Sequence, residues 1–222
     1  MRRVLEPELM EDEAQAVAYA QADFDAPNAA FVEALLARFP RLPEALRGVD
    51  LGCGPADIPR RLLSRMPGWR FDAVDGSAAM LAAGTQKHGA PDDRLRLHVA
   101  RVPNTGLPAA SYGLILSNSL LHHLPDAQAL WSAVAQLGAP GAAVLIGDLF
   151  RPETLEMAQA TVDRWSSGEP EVLRIDFFNS LCAAFTPDEV RAQLHAAGLP
   201  LTVEVVSDRH LLVFGHLPGG AS

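Results

Sequence analysis

Short apolar runs alternate with stretches of 3.6-residue periodicity through most of the chain. The runs predict strands at 49–51, 71–74, 95–100, 112–117 and 143–148, with two more at 201–206 and 210–215. Helical patterns lie between the first five. The clearest is DAQALWSAVAQLGAPG, where Leu130, Val134 and Leu137 share a face and Gly138 with Pro140 ends the helix. Such alternation implies parallel strands joined by right-handed helical crossovers. Only Ser207, Asp208 and Arg209 separate the last two strands, too few residues for a crossover, so these strands form an antiparallel hairpin. The helix before the hairpin opens on TPDE, with Thr186 as N-cap, Pro187 at the first helical position and Glu189 completing a capping box.

The pattern divides one α/β domain into four parts. Residues 1–46 are a helical cap, with EAQAVAYAQADF and NAAFVEALLARF as its periodic stretches. Residues 47–148 are the strand–helix core, and 149–186 form a long helical insertion at the carboxyl end of the sheet, where such additions often cover a substrate. The closing helix and hairpin occupy 187–222.

Composition narrows the partners. The chain has 222 residues and a formal charge of −9, which argues against a nucleic-acid surface. Arg60, Arg61 and Arg65 sit at helical spacing and read as a solvated face. Cys53 and Cys182 form no disulfide framework and no paired metal spacing. Two N-terminal arginines are followed by no apolar stretch, so no signal peptide is expected, and no run reaches the ~18 apolar residues of a membrane span. These features predict a cytoplasmic protein, and they leave a homodimer open.

The candidate chemistry starts at VDLGCGPADIPRRL, residues 49–62. Gly52 and Gly54 follow a strand directly and precede a helix, so backbone amides can approach a ligand closely. Asp75 ends the second strand, where an acid can accept hydrogen bonds from both hydroxyls of an adenosine ribose. A dehydrogenase fingerprint would place its third glycine where Asp57 stands, and that acid would face a pyrophosphate like charge to like charge. Asp50 adds a second negative group beside the turn, so a cofactor with a cationic end fits better than one with two phosphates. S-adenosylmethionine carries both a sulfonium and an ammonium. The alternatives are an NAD(P)-dependent oxidoreductase and a non-catalytic S-adenosylmethionine-binding protein.

VDLGCGPAD, FDAVDGSAAML and YGLILSNSLLHHLPD resemble successive motifs of the class I S-adenosylmethionine-dependent methyltransferases, small-molecule type, similar to those of ubiquinone and menaquinone biosynthesis. The resemblance covers roughly residues 45–150 by motif and implies a Rossmann-like, seven-stranded sheet with helices on both faces. It implies that Asp50, Gly52, Cys53 and Gly54 surround the methionine part of the cofactor. Asp75 would bind the ribose, with Gly76, Ser77 and Met80 near ribose and adenine, and Ser117 and Asn118 beside the transferred methyl. Two positions depart from the family: Ala56 replaces a third glycine, and Arg101 and Val102 stand where an acid usually holds the adenine amino group. Asn104 is one substitute for that acid.

The remaining candidates concern the acceptor. Strand order would bring His210, in the hairpin turn, towards Asp148 at the end of the fifth strand, and this pair with His123 forms the candidate set for proton transfer. Tyr19, Asp23 and Phe24 of the cap and Phe177, Phe178 and Asn179 of the insertion are candidates for a substrate pocket, against the alternative of ordinary helix packing. Adjacent His122 and His123 are expected to point in different directions, with no ligand at i, i+4, so no metal site is predicted.

Overall fold

The computed structural model describes residues 1–6 and 25–219. In chain order its elements are α1 (Asp25–Arg38), β1 (Leu46–Leu51), α2 (Asp57–Arg65), β2 (Trp69–Asp75), α3 (Ala78–His88), β3 (Leu95–Val99) and β4 (Tyr112–Asn118). A 3₁₀ turn (Leu121–His123), α4 (Gln128–Leu137), β5 (Gly138–Leu149), α5 (Leu155–Trp165), α6 (Glu171–Ala183), α7 (Pro187–Ala196), β6 (Thr202–Val205) and β7 (His210–His216) follow.

The strands form one sheet in the order β3-β2-β1-β4-β5-β7-β6. All are parallel except β7, which runs antiparallel to both β5 and β6. Strand order reverses between β1 and β4, so a crevice opens at their carboxyl ends, the usual ligand position in such sheets.

Period-two alternation sorts the core. Ile115, Val144, Ile146, Leu211 and Val213 face α4 and α7, where they meet Trp131, Val134 and Val190. Leu114, Leu116, Leu145 and Leu212 face the other way, onto Phe31 and Leu35 of α1 and Leu62 of α2. A third, smaller cluster joins Leu149 to Ala158 and Val162 of α5 and Leu181 of α6. The capping box at α7 is formed as expected: Thr186 Oγ1 accepts from Glu189 N–H, and the Glu189 carboxylate accepts from Thr186 N–H.

Two strand starts differ most from the sequence reading. Strand β1 begins at Leu46, three residues early, because Arg47 is held by the buried Asp72. Strand β5 begins at Gly138 directly after α4, its register with β4 shifting between Tyr112 and Leu114. Of the expected cap, α1 holds most of the second periodic stretch, while EAQAVAYAQADF lies outside the described residues except for its neighbours from Asp25 onwards.

Candidate active site

The turn after β1 is built from left-handed backbone. Gly52 has φ +70° and Gly54 φ +52°, and Ala56, the N-cap of α2, has φ +59°. Alanine in that region costs roughly 1 kcal/mol, which gives a physical reason why a glycine suits this position. Gly52 and Cys53 N–H groups both donate to the Val74 carbonyl, at 2.8 and 3.0 Å, tying the turn to β2. Behind the turn, a Cβ on Gly84 of α3 would lie 2.2 Å from the Pro55 carbonyl oxygen, so helix and turn touch backbone to backbone.

Asp50, Asp75 and Asn118 project from the same face of the sheet, at the ends of β1, β2 and β4. Asp75 is the clamp: its Oδ2 accepts from Gly54 N–H at 2.7 Å and its Oδ1 from Ser77 N–H at 2.8 Å. A carboxylate has about four acceptor sites, so two bonds to the backbone leave room for ribose hydroxyls. Burial pushes the Asp75 pKa up, against these hydrogen bonds. Ser77 caps α3 by accepting from Met80 N–H at 3.2 Å, and the Met80 methyl lies against Gly54.

Asp50 is 1% exposed, and its Oδ2 has no hydrogen-bond partner among the described residues. Burial, then the charge of Asp75, raises its pKa to about 8. An orphaned buried carboxylate oxygen is costly unless a donor arrives. The ammonium of an S-adenosylmethionine methionine tail is such a donor, so the residues present fit that cofactor. Burial also pushes the Cys53 thiol well up, with Asp50 and Asp75 acting in the same sense, which makes it a small inert residue of the turn.

Ser117 is buried and donates to the Leu51 carbonyl at 2.8 Å, so it fastens β4 to the start of the turn. Asn118 lies over Gly147 of β5, where a Cβ would come 2.7 Å from Asn118 Oδ1 and 3.0 Å from the Phe31 ring. Arg101 and Asn104 are both exposed after β3.

The other half of the cleft is assembled across long sequence distances. His122 Nδ1 lies 2.6 Å from Asp148 Oδ1, and Asp148 also accepts from the N–H groups of His122 and Leu149, at 3.2 and 2.7 Å. Burial works against the His122 imidazolium, but the charge and hydrogen bond of Asp148 outweigh it and hold its pKa above the ordinary value. His123 Nδ1 lies 2.7 Å from Glu6 Oε2, and Ser180 donates to Glu6 Oε1 at 2.6 Å. Arg3 donates to the carbonyls of His122, Leu124 and Ala183 and stacks 3.7 Å over the Phe185 ring. Residues 1–6 thus form a strap over the 3₁₀ turn and the end of α6.

The expected meeting of His210 with Asp148 is not formed. Strands β5 and β7 are neighbours, but Asp148 pairs with Leu211 and His210 with Leu149, so the two side chains leave opposite faces of the sheet. His210 instead contacts Ser207 Oγ at 3.0 Å, and burial with nearby Arg209 lowers its pKa to about 4, leaving it neutral at physiological pH. The partner of Asp148 is His122, which the sequence reading passed over in favour of His123. Glu6 and Arg3 were missed altogether; their partners lie more than a hundred positions away and leave no local signal.

Phe177 and Phe178 are half-buried against Leu149, Ala158 and Val162, the packing alternative for these aromatics, and Asn179 is half-buried beside them. Tyr19, Asp23 and Phe24 lie outside the described residues. Among the described residues, no helix is long and apolar enough to cross a membrane.

Comparison with known proteins agrees with this geometry. A family profile described as a methyltransferase domain matches residues 49–144. A trans-aconitate 2-methyltransferase of Streptomyces avermitilis is 33% identical over 184 residues, covering 80% of this chain and 66% of the relative. A malonyl-[acyl-carrier protein] O-methyltransferase of Alcanivorax borkumensis is 34% identical over 109 residues, 48% of this chain and 37% of that protein. The chain spans 66% and 59% of the length of the two Streptomyces relatives it matches. In fold it is similar to a SAM-dependent methyltransferase from Aquifex aeolicus, with a TM-score of 0.67 at 18% identity, over 93% of this chain and 98% of that one. Motif, sheet order and relatives converge: residues 49–144 are a methyltransferase domain, on the fold of the S-adenosylmethionine-dependent methyltransferases.

Proposed function

We propose that the protein methylates a carboxylate oxygen of a small organic acid, with S-adenosylmethionine as the methyl donor. When bound, the cofactor supplies a methyl group on a sulfonium. The chain's own residues do the positioning. Asp50 would receive the ammonium, Asp75 the ribose hydroxyls, and the glycine turn would leave space for the methionine tail. Asn118 at the end of β4 would border the transferred methyl, with Ser117 holding that strand end in register. Alignment and exclusion of water are then the main contributions to rate.

The observation that carries the reading is the buried, unpartnered oxygen of Asp50 beside a turn held open by Asp75. The acceptor class is supported by the relatives, whose named substrates, trans-aconitate and a malonyl group, both offer a carboxylate. A carboxylate is already ionised at neutral pH and needs no base. That agrees with a cleft in which His122 is bonded to Asp148 and His210 is tied to Ser207. The acceptor is taken as a free small molecule in the cytoplasm, supported by a net charge of −9 and two unpaired cysteines.

The test is turnover with S-adenosylmethionine across a panel of mono-, di- and tricarboxylic acids beside alcohols and amines of similar size. Methyl esters and demethylated cofactor should appear, by mass spectrometry, with one or more of the acids. Turnover confined to the alcohols or amines would overturn the acceptor class.

A further inference from the structure

We propose that Glu6, His122 and His123 form a binding site for one divalent transition-metal ion of the zinc type, at the acceptor side of the cleft. One ligand atom from each residue lies within 4.8 Å of the other two. The donor set is two imidazoles and one carboxylate, which suits zinc, cobalt, nickel or ferrous iron and not magnesium or calcium. Three protein ligands leave coordination positions for water or a substrate oxygen.

The surroundings of the three residues match what a metal requires. Asp148 already accepts two backbone N–H groups, so it is a fixed acceptor, and the His122 Nδ1–H donates to it at 2.6 Å. That tautomer leaves the lone pair on Nε2, the arrangement of a carboxylate–histidine–metal triad. Glu6 is similarly divided: Ser180 donates to one oxygen, and the other faces His123. The 3₁₀ turn that carries both histidines is pinned by Arg3 at the His122 and Leu124 carbonyls.

Adjacent histidines are expected to diverge, which would leave no metal site. In the tight 3₁₀ turn they do not: the two ring centroids are 4.0 Å apart, with planes tilted by 38°. Zinc bonds of about 2.0–2.2 Å require ligand atoms closer together than this cluster's outer limit. The His123 side chain, 38% exposed, is free to make that approach, whereas His122 is fixed. The 3₁₀ turn begins three residues after Asn118, the end of β4, so the site adjoins the cofactor cleft.

The experiment uses the full chain, freed of any affinity tag and stripped with chelator, titrated with cobalt(II) and, by calorimetry, with zinc(II). One equivalent should bind, giving the visible d–d bands of a low-coordinate cobalt site. Glu6→Gln and His123→Ala should each weaken binding at least tenfold while circular dichroism stays native, and Asp148→Asn should weaken it about 10–100-fold. Because the His123 side chain is 38% exposed, His123→Ala keeps the test valid if Asp148→Asn fails to fold. No cobalt spectrum, or binding that survives both Glu6→Gln and His123→Ala, overturns the site. Intense thiolate charge-transfer bands would do the same, by moving the metal to Cys53 or Cys182.

Discussion

The β1–β2 side of the cleft and the β5 side solve different problems with different parts of the chain. On the first, the polar groups come from neighbouring βα units, with Gly54 N–H and Asp75 only 21 positions apart. On the second, Ser180 meets Glu6 across 174 positions, and His122 meets Asp148 across 26. The first side presents backbone amides and one orphaned acid, geometry that any ligand with the cofactor's shape can use. The second presents side chains that hold one another. Recognition by backbone is general, whereas recognition by converging side chains can be changed one residue at a time, which suits a fold whose donor is common and whose acceptors differ.

The largest break in that contrast should come from Asp148→Ala in metal-free protein. It removes the acceptor of three donors in a buried setting and should cost about 3–5 kcal/mol by chemical denaturation. Cofactor affinity in the surviving folded protein should change far less, since Asp148 lies on the other face of the sheet from Asp50. Asp75→Ala should do the reverse. Calorimetry should show S-adenosylmethionine affinity falling about a hundredfold or more, from loss of charged hydrogen bonds to ribose and of the clamp on Gly54.

A pH series sharpens the first side. Asp50 has its pKa raised to about 8, so the free protein holds a proton there that a bound ammonium must displace. Cofactor affinity should therefore rise as pH increases towards that value, by up to tenfold per unit, and level off above it. In Asp50→Asn the rise should vanish; an unchanged slope would show that another group is responsible. The same shift means that Asp50 favours the folded state fully only below the ordinary Asp value of 3.8, and that this contribution is lost as pH rises through about 8.

The smallest effect belongs to Ala56→Gly. Relief of a left-handed alanine should stabilise the fold by about 0.5–1 kcal/mol, offset in part by the added freedom of glycine in the unfolded chain. Thermal denaturation would register it as an upward shift of a few degrees.

The same contrast explains what was legible in the sequence. Strand positions, the hairpin, the capping box at Thr186 and the turn at Gly52 and Gly54 all rest on local periodicity or local backbone chemistry, and these are present in the structure. The Asp50–Asp75 relation was readable because consecutive βα units place them side by side. The acceptor side was not. Choosing between His122 and His123 needs the pitch of a 3₁₀ turn, which no periodicity marks. The His210–Asp148 expectation had the correct strands and the wrong faces, because adjacency in a sheet was considered without the alternation of side chains. Glu6 and Arg3 sit in a polar segment whose partners are fixed only by the tertiary fold.

Gly84 shows how far the cofactor side extends. It lies in the middle of α3, nine residues beyond Asp75, and in the sequence it resembles an ordinary small helical residue. Yet its missing side chain is what lets the helix rest on the carbonyl of Pro55. The helix therefore acts as a depth gauge for the glycine turn. A methyl group at residue 84 would drive the turn forward into the space proposed for the methionine tail. Variants there would look like binding defects although nothing at that position touches the ligand, and a survey that ranked residues by distance from the cofactor would file them in the wrong place.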